Sequence, residues 1–364
     1  MQRAEDIAYQ AVLSAPPFAI PTWVRPVTGA SATVPQAMRL AGGLVYFDKV
    51  DVVQRNPEGH YHAARMDVDQ LIACADDRNA ATAIMDQLTT ARADFAGLSM
   101  AEPQIMGILN VTPDSFSDGG KHAAPAQAIA MGKAMIEAGA SVIDIGGEST
   151  RPGAEPVTRN QELARILPPI TGLRDAGAVV SVDTRHAAVM SRATKAGAHV
   201  INDVGGLRAE GALDAAVAAK TPVIIMHMQG TPETMQADPQ YGFAPVEIYE
   251  FLAERIAAAL AAGIPKNAIA VDPGFGFGKT ITHNMQVMNW TAMLHGLGVP
   301  LLIGASRKSS IAKLSRDEPA DERVPGSLAL AIKGVTEGAQ LLRVHDVAET
   351  AQAVAVTKAM LATS

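Results

Sequence analysis

The chain has a single cysteine, Cys74, so it can form no internal disulfide, which fits a reducing cytosol. Aromatic residues make up only 4% of its 364 residues. No run of about 18 apolar residues is present, the length that a membrane-spanning helix needs. Positive charge is in deficit: the net charge is −7, which argues against nucleic acid as the main partner. The N-terminus, MQRAEDIAYQAVLSAPPFAIPTW, carries acidic residues early and a proline-broken apolar stretch, so it lacks the pattern of a secretory signal. Together these absences point to a cytoplasmic protein with neither membrane nor nucleic acid as partner. Ala, Gly, Val and Ile are abundant. Hydrophobic content of 48% against 18% charged allows a sizeable core. This is the composition of a parallel α/β protein, whose strands are buried on both faces.

A nucleotide-phosphate loop is also missing. Residues 272–280 read DPGFGFGKT, but P-loop spacing requires glycine where Pro273 stands. A dinucleotide fingerprint requires glycine where Lys279 stands.

Residues 1–102 differ in pattern from the rest of the chain. They open with a Pro-rich irregular region, then a strand-like run over 43–55 and a turn at 56–59. Residues 66–97 read as one helical stretch, with Asp67 or Asp69 near its start and Gly97 at its end. This N-terminal α/β extension is expected to decorate the remaining chain, 103–364, or to serve a dimer contact. From Gln104 onward, short β-branched runs alternate with Ala-rich helical segments. The runs are QIMGILN (104–110), SVIDIGG (141–147), AVVSVDT (178–184), HVINDV (199–204), PVIIMHM (222–228), AIAVDPG (268–274), PLLIGAS (300–306) and QLLRVHD (340–346). Eight strand–helix units in about 250 residues predict a (β/α)8 TIM barrel. A doubly wound sheet is the alternative, but its first βα turn is Gly-rich, and NVTPDSFSDGG lacks that fingerprint.

A barrel carries its active site at the C-terminal ends of the strands. There the sequence places Asn110, Glu148, Thr150 and Arg151, Asp183, Asn202 and Asp203, His227, Asp272, Ser306 to Lys308, and Arg343 with His345. One polar residue after a strand is an ordinary turn former or cap. Eight from eight strands would converge on one rim. Asp183, Asn202 and Asp272 suit a flat heterocycle rich in N–H donors. Lys308, Arg343 and His345, with Asn110, suit a phosphate or pyrophosphate. Glycine- and proline-bearing loops at 111–121 and 148–155 are of the kind that act as lids. His227 reads as structural as readily as functional, Asp114 as a turn residue, and Arg307 as half of a rim salt bridge.

ILNVTPDSFSDGG, VIDIGGESTRPG, SVDT, INDV, MHMQGTPETMQ, DPGFGFGK, GASRKS and LLRVHDV occur in this order over about residues 104–360. They resemble the motifs of the dihydropteroate synthases, the folate-pathway enzymes that sulfonamide drugs inhibit. The resemblance implies a pterin-binding barrel that is typically dimeric. It implies a Mg2+-dependent union of 6-hydroxymethyl-7,8-dihydropterin pyrophosphate with p-aminobenzoate. Asp183, Asn202, Asp272 and Lys308 then match the pterin-binding set, with Met226 and Phe277 as apolar walls. Asn110 matches the residue associated with metal and pyrophosphate, and Arg343 and His345 the pyrophosphate pair. Thr150 and Arg151 fall in the second loop. Phe116, Pro152 and Ser309 match p-aminobenzoate contacts. Asp118 is a candidate to stabilise a developing cation, or is a turn former before Gly119. Two other readings compete: a corrinoid methyltransferase on the same kind of barrel, and a non-catalytic pterin-binding paralogue. The first does not need TPDSFSDGG, STRPG or SRKS. The second would show damage to the first loop or to Arg343 and His345.

Overall fold

In the computed structural model, which describes residues 8–9, 22–56, 58–112, 120–148, 157–231 and 234–363, two sheets succeed one another along the chain. The first contains β1 (Ala8–Tyr9), β2 (Trp23–Thr28), β3 (Met38–Arg39), β4 (Tyr46–Arg55) and β5 (Tyr61–Asp67), in the order β1-β5-β4-β2 with β3 also on β4. The strand expected over 43–55 is β4. The expected irregular region instead contains β2, which tolerates Pro26 because it is an edge strand. The helical stretch expected over 66–97 is two helices, α1 (Val68–Cys74) and α2 (Arg78–Thr89). Ala75 is extended between them, and Asp77 starts the second by accepting from the Asn79 and Ala80 amides. Gly97 caps no helix. With Ala96 it forms a two-residue turn at positive φ, closed by paired hydrogen bonds between Phe95 and Leu98.

The second sheet is the barrel: β6 (Gln104–Asn110), β7 (Val142–Gly146), β8 (Val179–Asp183), β9 (Val200–Asp203), β10 (Val223–Met226), β11 (Ile269–Asp272), β12 (Leu302–Ile303) and β13 (Leu341–Val344). All its pairings are parallel, and a Val271–Leu301 bridge closes the ring between β11 and β12. The outer helices are α3 (Gly120–Glu137), α4 (Arg159–Asp175), α5 (Ala187–Ala196), α6 (Ala212–Ala219), α7 (Ala244–Ala261), α8 (Ile281–Asn289), α9 (Ser309–Leu314), α10 (Val324–Thr336) and α11 (Val347–Leu361).

Strand alternation sorts the side chains. Ile143, Ile145, Val180, Val182, Ile225 and Val271 belong to the core shared with the helices. Met106, Val142, Val179, Val200, Ile224, Ala270, Leu302 and Leu341, one from each strand, cluster with Phe95 and Met100. They fill the N-terminal end of the barrel. The Phe95–Leu98 turn is the plug that covers it.

The first sheet packs on the outside of the barrel. Trp23, Val53 and Ala63 meet Phe243, Val246, Trp290 and Met293. Ala292 enters the cluster of Phe47, Leu71 and Leu88. Arg92 ties the two parts together by donating to the His295 carbonyl at 2.8 Å. Among the described residues no helix is long and apolar enough to cross a membrane.

Candidate active site

Two residues beyond the apolar floor, the same alternation delivers Asp144, Ser181, Asn202, Met226, Asp272, Gly304 and Arg343. Two further on come Asn110, Gly146, Asp183 and His345. The barrel therefore changes from apolar to charged within one step of the pleat, and its mouth is polar because the sequence switches composition at the same depth in most strands.

Arg343 is the hub. Nε donates to Asp144 Oδ2 at 2.6 Å, and Nη2 donates to Asp183 Oδ2 at 2.8 Å. Asn202 Nδ2 donates to the same Asp144 oxygen at 3.0 Å. Although burial opposes it, the Asp144 and Asp183 carboxylates raise the Arg343 guanidinium above its ordinary value and fix its charge. Burial, with Asp144 and Asp203 nearby, pushes Asp183 up against the pull of Arg343. Asp144 itself is fully buried, and its Oδ1 has no hydrogen-bond partner. It is the principal residue that strand-end reasoning passes over. The signal for it was a carboxylate in the middle of the buried run SVIDIGG, a position where an acid needs a partner.

The segment after β11 forms one wall. Asp272 accepts from the Gly274 amide at 2.7 Å, and burial raises its carboxyl, partly offset by that amide and by Lys308. Gly274 has φ +69°, and a Cβ there would lie 1.9 Å from the His227 carbonyl oxygen. Lys279 turns back into its own loop. Its Nζ donates to the Gly274 and Phe277 carbonyls at 2.9 and 3.0 Å and lies 2.9 Å from His227 Nδ1. Burial lowers this ammonium to about 7 and holds His227 well below its usual value. The lysine that resembles a phosphate ligand is a buried latch, and His227 is its structural partner. The latch sets Phe277, which joins Val204, Met226, Met228 and Met235 in an apolar cluster. Lys308 Nζ sits 4.0 Å from the centre of the Phe277 ring.

On the other side, His345 Nδ1 lies 3.0 Å from Ser306 Oγ. Burial, with Arg343 and Arg307 adding to it, lowers the imidazole to about 3, so it is neutral at physiological pH. Arg307 pairs with Asp346 at 3.0 Å, the expected rim salt bridge. Ser309 is exposed at the start of α9. Asn110 ends β6 beside Gly146, where an added Cβ would lie 3.6 Å from Asn110 Oδ1 and 3.7 Å from Asp183 Oδ2. This is a hard-oxygen environment of the kind Mg2+ uses when phosphate oxygens and water complete its shell. A second group with metal-ligating atoms, Glu148, Glu162 and His186, lies behind it. Phe116, Asp118, Thr150, Arg151 and Pro152 fall outside the described residues. The structure thus brings together Asn110, Asp183, Asn202, Met226, Asp272, Phe277, Lys308, Arg343 and His345 at the mouth, with Ser309 on its rim.

An eight-stranded parallel barrel with this polar mouth defines a class, and comparison with known proteins agrees. A family model described as pterin binding enzyme matches residues 106–345. The dihydropteroate synthase of Escherichia coli (strain K12) is 46% identical over 270 residues, covering 74% of this chain and 95% of that protein. The dihydropteroate synthase of Bacillus subtilis (strain 168) is 41% identical over 279 residues, covering 76% and 95%. Among solved structures, Yersinia pestis dihydropteroate synthase with a sulfonamide drug complex matches at a TM-score of 0.70 and 47% identity, over 73% of this chain and 96% of that one. Xanthomonas albilineans dihydropteroate synthase in complex with 7,8-dihydropteroate matches at 0.67 and 44%, again over 73% and 96%. The chain belongs to the pterin-binding enzyme family and, within it, to the dihydropteroate synthases, alkyl-transferring enzymes of folate synthesis.

Proposed function

We propose that the chain joins 6-hydroxymethyl-7,8-dihydropterin pyrophosphate to p-aminobenzoate, giving 7,8-dihydropteroate and pyrophosphate. The observation that carries this reading is the polar layer of Asp144, Asn202, Asp272 and Arg343 directly above an apolar floor. A pterin ring edge-on to that layer offers N–H donors to Asp183 and Asp272 and takes the amide of Asn202, while Met226 and Phe277 cover its faces. Lys308, held over Phe277, is placed to donate to a ring acceptor beside Asp272.

Arriving at Asp183, the ring competes with Arg343 for the same carboxylate oxygen. Arg343 then turns part of its fork towards the pyrophosphate, with Asn110 and His345 beside it. Neutral His345 donates a hydrogen bond there without adding repulsion to Arg343. Asn110 would hold Mg2+, which would supply charge neutralisation for the leaving group. The methylene C–O bond breaks, its electron pair leaving with pyrophosphate. The ring-conjugated cation is then attacked by the aryl amine, which forms the C–N bond and loses a proton to solvent or to pyrophosphate. Asp118 is assigned to stabilising that cation, and Ser309 at the rim, with Phe116 and Pro152, to holding p-aminobenzoate. Thr150 and Arg151 complete the anion pole.

The reading extends to sulfonamide inhibition at the p-aminobenzoate position, to a cytoplasmic location, and to a homodimer. Support for the dimer is the groove between α8, α9 and α10, lined by Met285, Ile311, Leu330 and an exposed Leu314. The decisive experiment measures pyrophosphate release by the purified chain. Release that requires both p-aminobenzoate and Mg2+ is expected. Binding of the pterin without release would favour a non-catalytic paralogue, and methyl transfer to a corrinoid would favour the methyltransferase.

A further inference from the structure

Behind the mouth lies a cluster that the reaction above does not use. Glu148 comes just after β7, Glu162 sits in the first turn of α4, and His186 precedes α5. One ligand atom from each lies within 4.8 Å of the other two. Glu162 is 0% exposed, and its carboxylate oxygens have no hydrogen bond of full geometry, only the weaker pull of the Thr184 hydroxyl. A buried carboxylate in that condition keeps a proton or holds a cation.

The geometry favours the cation. His186 Nε2 and Glu148 Oε2 are 3.4 Å apart. Two donors bound at about 2.1 Å to one tetrahedral metal are separated by about 3.4 Å. Arg185 donates to both Glu148 oxygens at 3.4 Å, including the Oε2 that faces His186, and so orients that carboxylate. Two carboxylates and one imidazole suit Zn2+ better than Mg2+, which prefers an all-oxygen octahedron.

We propose that Glu148, Glu162 and His186 form a second metal site of the zinc class, with a fourth position open. The ion would join the end of β7, the start of α4 and the turn after β8, and it would balance the charge of the buried Glu162 carboxylate. Its test is binding, independent of turnover. The full-length chain, stripped with chelator, is titrated calorimetrically with Zn2+, and separately with Co2+, whose visible absorption reports four-coordination. One equivalent per chain is expected, with a higher Tm. Glu162→Gln and His186→Ala should each weaken Zn2+ at least about tenfold. Absence of Zn2+ binding, or binding unchanged in either variant, overturns the proposal. Loss of the Zn2+ equivalent in Asp144→Asn while both other variants retain it moves the ion to the barrel mouth and also overturns it. His186 is partly exposed, so its variant remains informative if Glu162→Gln fails to fold.

Discussion

Asp144 is a fully buried acid whose main partners are a guanidinium and an amide, and its charge is balanced within the barrel mouth. Asp144→Asn keeps the shape and removes the charge, leaving Arg343 to Asp183 alone. A loss of about 3 kcal/mol in denaturant unfolding is expected, the lower end for breaking a buried pair. A loss below about 1 kcal/mol would show that Asp183 suffices to hold Arg343. Lys279 makes a different kind of contribution, since its amine ties three groups of the loop that carries Phe277. Lys279→Met should raise KM for the pterin pyrophosphate roughly tenfold, equivalent to about 1.4 kcal/mol, and change kcat less. Steady-state kinetics checks this, and a collapse of kcat at constant KM would contradict the latch. Residue reading of the sequence put Asp183, Asn202, Asp272 and Arg343 at strand ends, and in the structure they lie at the barrel mouth. It passed over Asp144, whose signal was an acid inside the apolar run SVIDIGG, and Glu162, whose burial shows only when the chain has folded.

At the scale of elements, all eight barrel strands fall inside their expected runs, because each is a β-branched stretch bounded by glycine or polar residues. The first sheet was less legible. β2 carries Arg25 and Pro26, and β5 mixes His62 and Arg65 with Ala63 and Ala64, so neither stands out by composition. Val24, Ala64 and Met66 pack within the extension, while Trp23 and Ala63 find partners on the barrel's outer surface, and no local window contains either set. The helix expected over 66–97 divides because, although its apolar spacing continues past Ala75, the Asp77 cap starts a new helix. Between elements, the turn after β11 depends on backbone that only glycine adopts freely. Gly274→Ala should cost roughly 2–4 kcal/mol, through positive φ and collision with the His227 carbonyl. Thermal unfolding measures it, and a variant as stable as the parent would contradict the close approach.

For the molecule as a whole, the junction between sheet and barrel sets a response to acid. His295 is fully buried, its Nε2 is 3.0 Å from the Glu337 carbonyl, and burial with Arg92 nearby lowers it to about 3. The unfolded chain takes up this proton near the usual pKa of about 6.5, and the folded chain does not until pH is far lower. Its contribution to stability is therefore intact above about pH 6.5 and falls as pH drops towards 3, by up to about 1.4 kcal/mol per pH unit. His295→Gln should flatten the fall of stability over that window, as pH-dependent urea unfolding would reveal; an unchanged slope would assign the acid response to other groups. Deleting residues 1–100 should expose Phe243, Trp290 and Met293 and remove Phe95 and Met100 from the barrel, giving a chain that aggregates or unfolds cooperatively at lower temperature. A stable, active remainder would show the first sheet to be dispensable. The plug at the barrel's base also governs traffic. Among the described residues Phe95 and Met100 seal that end, so substrates and products would share the mouth as their doorway. On the proposed assignment the pterin contacts lie deepest and Ser309 lies on the threshold, so the ring would enter before p-aminobenzoate could lodge behind it, and the joined product would depart only once whatever stands in the doorway had gone.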